Sequence, residues 1–419
     1  MDYRIIAHLF ISVLLYTSAF IYAPFFYGAI FVCFIPLCVV ILALKMSQLP
    51  YIFFWAVLLM TLQWWPLITI IIKQGAHPLK YCIPIVCLLL VVAGGLLTGL
   101  LSVMANKYIH CLYARVVLHV IFWWLFFEWL YRYLFFSFGY TLSYPMLPLA
   151  MQPGLLKVCV YVPMALLMFC LLLAQVAGAS YYCYGNRIFL FIALISYLPF
   201  GIGLLLPMDT SQISINAQCG TPPHSAAMLD DAQEIAKCII DARDYEYVIF
   251  PESSFCYDCL SDPTIIQLWQ EYIDENQTVI IGTHAKRADQ WRVTACCLTQ
   301  QKVSWHDKSF LLPFAEYVPT WAPNCFKNIF LRECEAFVPA QTDMSNKCFD
   351  LLICAEFFLS KDCWRQMVKG SKPIIVLVSD VWAADSRLSD LLLLFVRFKA
   401  IEWGRVIVYC SQSRFIMLD

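Results

Sequence analysis

Apolar residues run almost without interruption through the first half of the chain, while in the second half they fall into short runs separated by amphipathic stretches. Runs long enough to cross a bilayer, roughly 20 residues each, lie near 5–22, 28–45, 51–72, 82–104, 112–131, 157–179 and 188–206. This pattern predicts about seven transmembrane helices. The first run reads as a retained helix, because its basic n-region is weak, no small-residue cleavage site follows, and six further runs come after it. Trp64, Trp65, Trp123, Trp124 and Trp129 lie where aromatic belts form, although the bundle interior accepts them equally well. Basic residues do not choose an orientation. With the N-terminus inside, Arg4, Lys45, Lys107, Arg115 and Arg187 lie on the inner side and Lys73, Lys80, Arg132 and Lys157 on the outer. An odd span count still puts the N-terminus and the second half of the chain on opposite sides.

Near Pro207 the pattern changes. "SQISINAQCG" (211–220) alternates like a half-buried strand. Further strands are predicted at "YVIFPES" (247–253), "TVIIGTH" (278–284), "FDLLICAE" (349–356), "PIIVLVSD" (373–380) and "RVIVYCSQ" (405–412), with amphipathic helices near 225–242, 262–275, 359–369 and 388–403. The organisation is a helical membrane bundle over 1–207 and a layered α/β domain over 208–419. That domain, about 200 residues, is large enough for its own core.

Charge sharpens the division. Residues 1–207 hold nine of the 28 basic and two of the 29 acidic residues. The first half is therefore no ordinary soluble domain, and the second is not embedded in lipid. The halves carry net charges of +7 and −8. An acidic domain disfavours binding to nucleic acid.

Three polar residues stand at the ends of apolar strand runs: Glu252 in "YVIFPES", Lys308 in "WHDKSFLLPFAEYVP" and Cys354 in "LLICAEFF". Singly each reads as structural. Together they place a base, a cation and a thiol at the ends of three strands, where site residues gather. A free thiol has a pKa of about 8.5 and is little ionised at neutral pH. A carboxylate within reach can take its proton, and an ammonium can stabilise the oxyanion that forms when sulfur attacks a carbonyl. These groups suffice for acyl transfer through a thioester, with no cofactor and no metal.

"PESS", "KSFLLPFAEYVP" and "LLICAE" resemble the three signatures of the nitrilase, or carbon-nitrogen hydrolase, superfamily, and "LLPFAEYVP" is similar to its membrane-bound branch, the apolipoprotein N-acyltransferase family. "SDVWAADS" (379–386), "RFKAIEWGR" (397–405) and "FFEWLYRYLFFSFGY" (126–140) resemble further segments of that family. The resemblance implies a transmembrane bundle carrying an αββα-sandwich nitrilase-like domain on the periplasmic side of a bacterial inner membrane. It implies an enzyme, acting as a monomer, that takes an acyl chain from a glycerophospholipid and passes it to the N-terminal amine of a diacylglyceryl lipoprotein. Cys354 would be the nucleophile, Glu252 the general base and Lys308 the oxyanion stabiliser. Glu316 would hold Lys308, and Glu356 would support the site.

Departures bear on the substrate. Ala355 stands where the family has Tyr, Ser379 where it has Asn, Ala383 and Ala384 where it has Phe and Gly, and Ala315 where it has Gly. The chain also ends at Asp419, before the further strands and final membrane helix of the family, which implies a C-terminally short domain. Two other readings stay open: a shorter relative of the kind found in conjugative transfer regions, with a different acceptor or amidase activity, and a catalytically degenerate scaffold.

The remaining features keep plain readings. "CYDC" (Cys256 and Cys259) suggests a local disulfide or nothing more, and Cys334 and Cys348 could pair in an oxidising compartment. His306 reads first as a surface residue. Glu128, inside an apolar run, should face the bundle interior and pack through Arg132.

Overall fold

In a computed structural model the described residues are 3–73, 82–131, 144–206, 215–222, 227–258, 262–312, 316–317, 337–339, 349–359, 372–380 and 387–418. The chain divides into two units, Met1–Asp209 with Asp385–Trp403, and Thr210–Ala384 with Gly404–Asp419.

The first unit is helical, with α1 (Tyr3–Ile21), α2 (Ile35–Leu42), α3 (Leu49–Lys73), α4 (Cys82–Tyr108), α5 (Leu112–Leu125), α6 (Met164–Tyr184) and α7 (Arg187–Leu205). Among the described residues three helices, α1, α6 and α7, are long and apolar enough to cross a membrane. The sequence predicts about seven. The run 28–45 is divided into a 3-10 turn (Tyr27–Phe31) and the eight-residue α2, and the run 112–131 leaves α geometry at Phe126, where a π turn (Phe126–Tyr131) begins. Helices α3 and α4 coincide with two predicted spans, but the side chains of 63–88 lie outside the described residues.

The break before α2 frees backbone groups in apolar surroundings, and the buried Gln175 of α6 satisfies them. Its side-chain oxygen accepts the Phe34 N–H at 2.6 Å, and its amide donates to the Ile30 carbonyl at 3.0 Å. The turn between α6 and α7 follows from "YGN": Gly185 closes α6 at φ 67°, and Asn186 caps α7 by accepting the Ile188 N–H. On α7 the exposed Ile188, Phe191, Leu194, Leu198 and Ile202 form an outward apolar stripe, while Phe189, Ala193, Ser196, Phe200 and Gly203 face inward. Such a stripe is costly in water and at home in lipid.

The second unit runs β1 (Ala217–Cys219), α8 (Met228–Asp241), β2 (Tyr247–Asp258), α9 (Pro263–Tyr272), β3 (Thr278–Arg287), β4 (Gln290–Leu298), β5 (Val303–Asp307), β6 (Asp350–Ile353), α10 (Ala355–Leu359) and β7 (Ile374–Val378). The chain then makes α11 (Arg387–Trp403), which groups with the first unit, before returning as β8 (Ile407–Ser411) and β9 (Phe415–Leu418). Two sheets result, ordered β1-β2-β3-β4-β5 and β6-β7-β8-β9. Strands β1, β2 and β3 are parallel, as are β6, β7 and β8, with antiparallel partners at β4, β5 and β9.

Alternation along β2 assigns the layers. Val248 and Phe250 pack with Ile235 and Ile239 of α8 and Trp269 of α9, whose indole donates to the Ala232 carbonyl. Ile249 points the other way, into a core shared with Ile353, Leu377, Val408 and Cys410 of the second sheet. Each fully buried side chain of this kind contributes about 1.5–3 kcal/mol. The described residues of this unit thus form a helical layer on one of two face-to-face sheets.

Candidate active site

Strand β2 loses register with β3 between Phe250 and Phe255, and Glu252 sits in that irregularity. The backbone passes so close to β3 there that a Cβ on Gly282 would lie 2.6 Å from the Glu252 Cα and nearer still to the Pro251 carbonyl oxygen. Only glycine fits. Ser253 follows in the left-handed region at φ 57°, and the Ser254 hydroxyl donates back to the Pro251 carbonyl at 2.8 Å. The strand then continues to Asp258, so Glu252 stands at a bulge and not at a strand end.

Lys308 directly follows β5, and its N–H donates to the Val293 carbonyl at 2.8 Å, one step beyond the β4–β5 ladder. Cys354 directly follows β6. Its N–H donates to the Leu377 carbonyl at 2.8 Å, and its carbonyl accepts the N–H of Phe357 at 3.0 Å to start α10. Its φ of 43° is left-handed for a residue with a side chain, a conformation that costs about 1–2 kcal/mol. Sequence alternation predicts a strand through Glu356; the strand ends at Ile353. The carboxylate of Glu356 turns back to accept the Ile353 N–H at 2.8 Å, which favours the turn.

Four predicted residues come together. The Lys308 Nζ donates to Glu252 at 2.8 Å and to Glu316 at 2.6 Å, with no part of the lysine side chain exposed. The second oxygen of Glu252 accepts the Ser379 N–H at 3.0 Å, and the second oxygen of Glu316 accepts the Leu312 N–H at 2.6 Å. The half-buried Cys354 thiol lies within the field of the same three charges, Glu252, Lys308 and Glu316. Burial opposes the charge on Lys308, yet Glu252 and Glu316 hold the ammonium well above the usual lysine range. Burial pushes the Cys354 thiol up, the Glu252 charge adds to this, and Lys308 only partly offsets it. Cys354 therefore rests as a thiol.

The fifth predicted residue, Glu356, lies behind this group. It is fully buried and accepts from the Ser309 N–H (2.6 Å), the Ser309 hydroxyl (2.7 Å) and His306 Nε2 (3.2 Å), in addition to Ile353. Burial works against its charge, but the His306 and Ser309 bonds hold the carboxyl below the usual range. Since Ser309 follows Lys308 and Ile353 precedes Cys354, Glu356 fixes the cation-bearing and thiol-bearing segments to one anchor. His306 is buried here and is not the surface residue predicted.

Sequence reasoning missed several supports. Gln412, just beyond β8, donates to the Glu252 carbonyl at 2.8 Å and accepts the Asp380 N–H at 3.0 Å. Asp380, buried, in turn accepts from the Ser411 hydroxyl and the Ser413 N–H. Gln412 ends the predicted strand run 405–412 and belongs to none of the motifs, so nothing in the sequence singles it out. Gly282 did carry one, an isolated glycine inside a strand run. At Ser379, where the family has Asn, the contact with Glu252 comes from backbone N–H and does not depend on the side chain.

Ala355 is buried. Ala315, Ala383, Ala384, Cys259, Cys334, Cys348, Arg132 and the predicted helix at 360–369 lie outside the described residues. Glu128 is buried and accepts a hydrogen bond from the Tyr144 hydroxyl. Among the described residues no group of three or more His, Cys, Asp or Glu side chains is arranged to hold a metal ion.

No protein-family model matches the chain, and no curated protein sequence does. Among solved structures, an amidase of the nitrilase superfamily from Nesterenkonia AN1 is similar at 13% identity over 47% of this chain and 76% of that one, with a TM-score of 0.36. A glutamine-dependent NAD(+) synthetase from Cytophaga hutchinsonii is similar at 13% identity over 48% of this chain and 40% of that one, with a TM-score of 0.35.

Proposed function

We propose that the chain is a membrane acyltransferase that moves a fatty acyl group from a glycerophospholipid, through a thioester on Cys354, to the N-terminal amine of a diacylglyceryl lipoprotein. The observation that carries the reading is the cluster itself, a buried lysine bonded to Glu252 and Glu316, with the Cys354 thiol raised by burial and by the Glu252 charge. The motif resemblance supplies donor and acceptor. In this reading the enzyme works as a monomer in a bacterial inner membrane, with the catalytic domain on the periplasmic side.

The chemistry proceeds in two halves. Cys354 passes its proton to Glu252 as sulfur bonds to the donor ester carbonyl, and Lys308 stabilises the oxyanion. Collapse breaks the C–O bond, and the departing lysophospholipid oxygen takes the proton from Glu252. The acceptor amine then attacks the thioester, Glu252 removes its proton, and the C–S bond breaks to return the thiol. A resting thiol suits this route, since the base acts during attack and no preformed thiolate is required. Membrane helices suit the substrates, whose acyl chains are costly to bring into water.

Complementation tests the acceptor. A bacterial strain depleted of its own lipoprotein N-acyltransferase should grow when supplied with this chain and should not grow with Cys354→Ala. Failure of both, where the chain still forms a thioester, would remove the lipoprotein amine as acceptor and favour water or another amine.

A further inference from the structure

Among the described residues, two cysteines outside the catalytic cluster lie close together. Cys219 ends β1 in the five-stranded sheet, Cys410 lies inside β8 in the four-stranded sheet, and their sulfurs are 3.4 Å apart across the core between the sheets. Cys410 is fully buried and its thiol reaches the Ile249 carbonyl at 3.3 Å; Cys219 is partly exposed and is the β-ladder partner of the same Ile249. The Cys410 thiol and the Cys219 backbone thus meet β2 at one residue, three before Glu252. Gln412, two residues after Cys410, holds the Glu252 carbonyl.

We propose that Cys219 and Cys410 form a disulfide site that ties the two sheets together beside the strand bearing Glu252. The unequal exposure of the two thiols sets the order of events. Cys219 attacks one sulfur of an external disulfide, such as an oxidised dithiol protein or oxidised glutathione, and expels the other as a thiolate. Cys410, losing its proton, then attacks the Cys219 sulfur and releases the second donor thiolate. The protein loses two protons and two electrons, and the donor disulfide is reduced to two thiols. The Cys410 contact holds Cys219 below the usual thiol range despite its burial, while burial pushes Cys410 up, which fits Cys219 as the attacking sulfur. The bond would join residues 191 positions apart, so the unfolded chain would lose considerable freedom.

Peptide mapping tests this without any variant and independently of acyl transfer. The full-length protein in detergent is incubated with oxidised glutathione, quenched in acid, alkylated and digested without reduction. The expected product is a Cys219–Cys410 cross-linked peptide, lighter than the two thiol peptides by two hydrogens, with Cys354 alkylated. The oxidised protein should also melt at a higher temperature than the reduced one, and the difference should vanish in Cys219→Ser. Recovery of Cys219 as a glutathione adduct with Cys410 separately alkylated, or of Cys410 joined to any other cysteine, would overturn the proposal.

Discussion

The Nζ of Lys308 lies 2.8 Å from one oxygen of Glu252, with both side chains removed from water. A buried ion pair of this kind is weak evidence for stability, because the cost of desolvating two charges offsets their attraction. Its value here is positional. Lys308 fixes one oxygen of Glu252 and the Ser379 N–H fixes the other, so the carboxylate is held in place.

Replacing Glu252 by Gln should move two properties of Cys354 in opposite directions. The Glu252 charge raises the thiol and Lys308 lowers it; without that charge the thiolate fraction at about pH 9 rises. Alkylation of Cys354 by iodoacetamide at that pH should therefore be faster in Glu252→Gln than in the parent. Acyl transfer should fall by about 10²–10⁴-fold, the usual contribution of a positioned general base.

Lys308→Met leaves Glu252 and Glu316 facing each other without a cation. Denaturant unfolding should show a loss of about 3–5 kcal/mol, typical of breaking a buried pair. Adding Glu316→Gln should recover part of the stability and none of the acyl transfer, which separates the fold role of Lys308 from its chemical role.

Gly282→Ala tests the backbone fit beneath Glu252. The added methyl meets the Pro251–Glu252 backbone, which cannot rotate away. Stability should fall by about 1–3 kcal/mol, the usual cost of overpacking. Displacement of the carboxylate should lower kcat more than it changes KM.

The acid limb of stability should depend on Glu356. Its carboxyl is held below the usual range in the folded chain, so its contribution is present above the unfolded value, near 4.3, and is lost as pH falls through the lower folded value. Melting curves between about pH 6 and pH 3 should fall for the parent. For Glu356→Gln they should start lower and fall less steeply.

Sequence alternation located β2, β3, β6, β7 and β8 and drew attention to Glu252, Lys308 and Cys354, because each is a polar residue placed by a buried apolar run. It missed the β3–β4 hairpin for a definable reason. The two-residue turn between Arg287 and Gln290 has Ala288 and Asp289 at φ 47° and 61°, positions where Asn and Gly usually advertise such a turn. Strand β9 was obscured in the same way, since it follows the polar "SQSR". Alternation runs on past Cys354 to Glu356, so it hides the turn: β6 stops at Ile353 and the left-handed Cys354 changes the course of the chain. His306 looked external because a histidine beside charges is common on surfaces, whereas its partner Glu356 lies 50 residues away.

The most direct test is intact-protein mass spectrometry after the detergent-solubilised chain is incubated with phospholipid and no acceptor. A single added acyl mass should appear, should be removed by hydroxylamine as a thioester is, and should be absent in Cys354→Ala. No adduct under conditions that label a known acyltransferase, or an adduct that persists in Cys354→Ala, would contradict the thioester account.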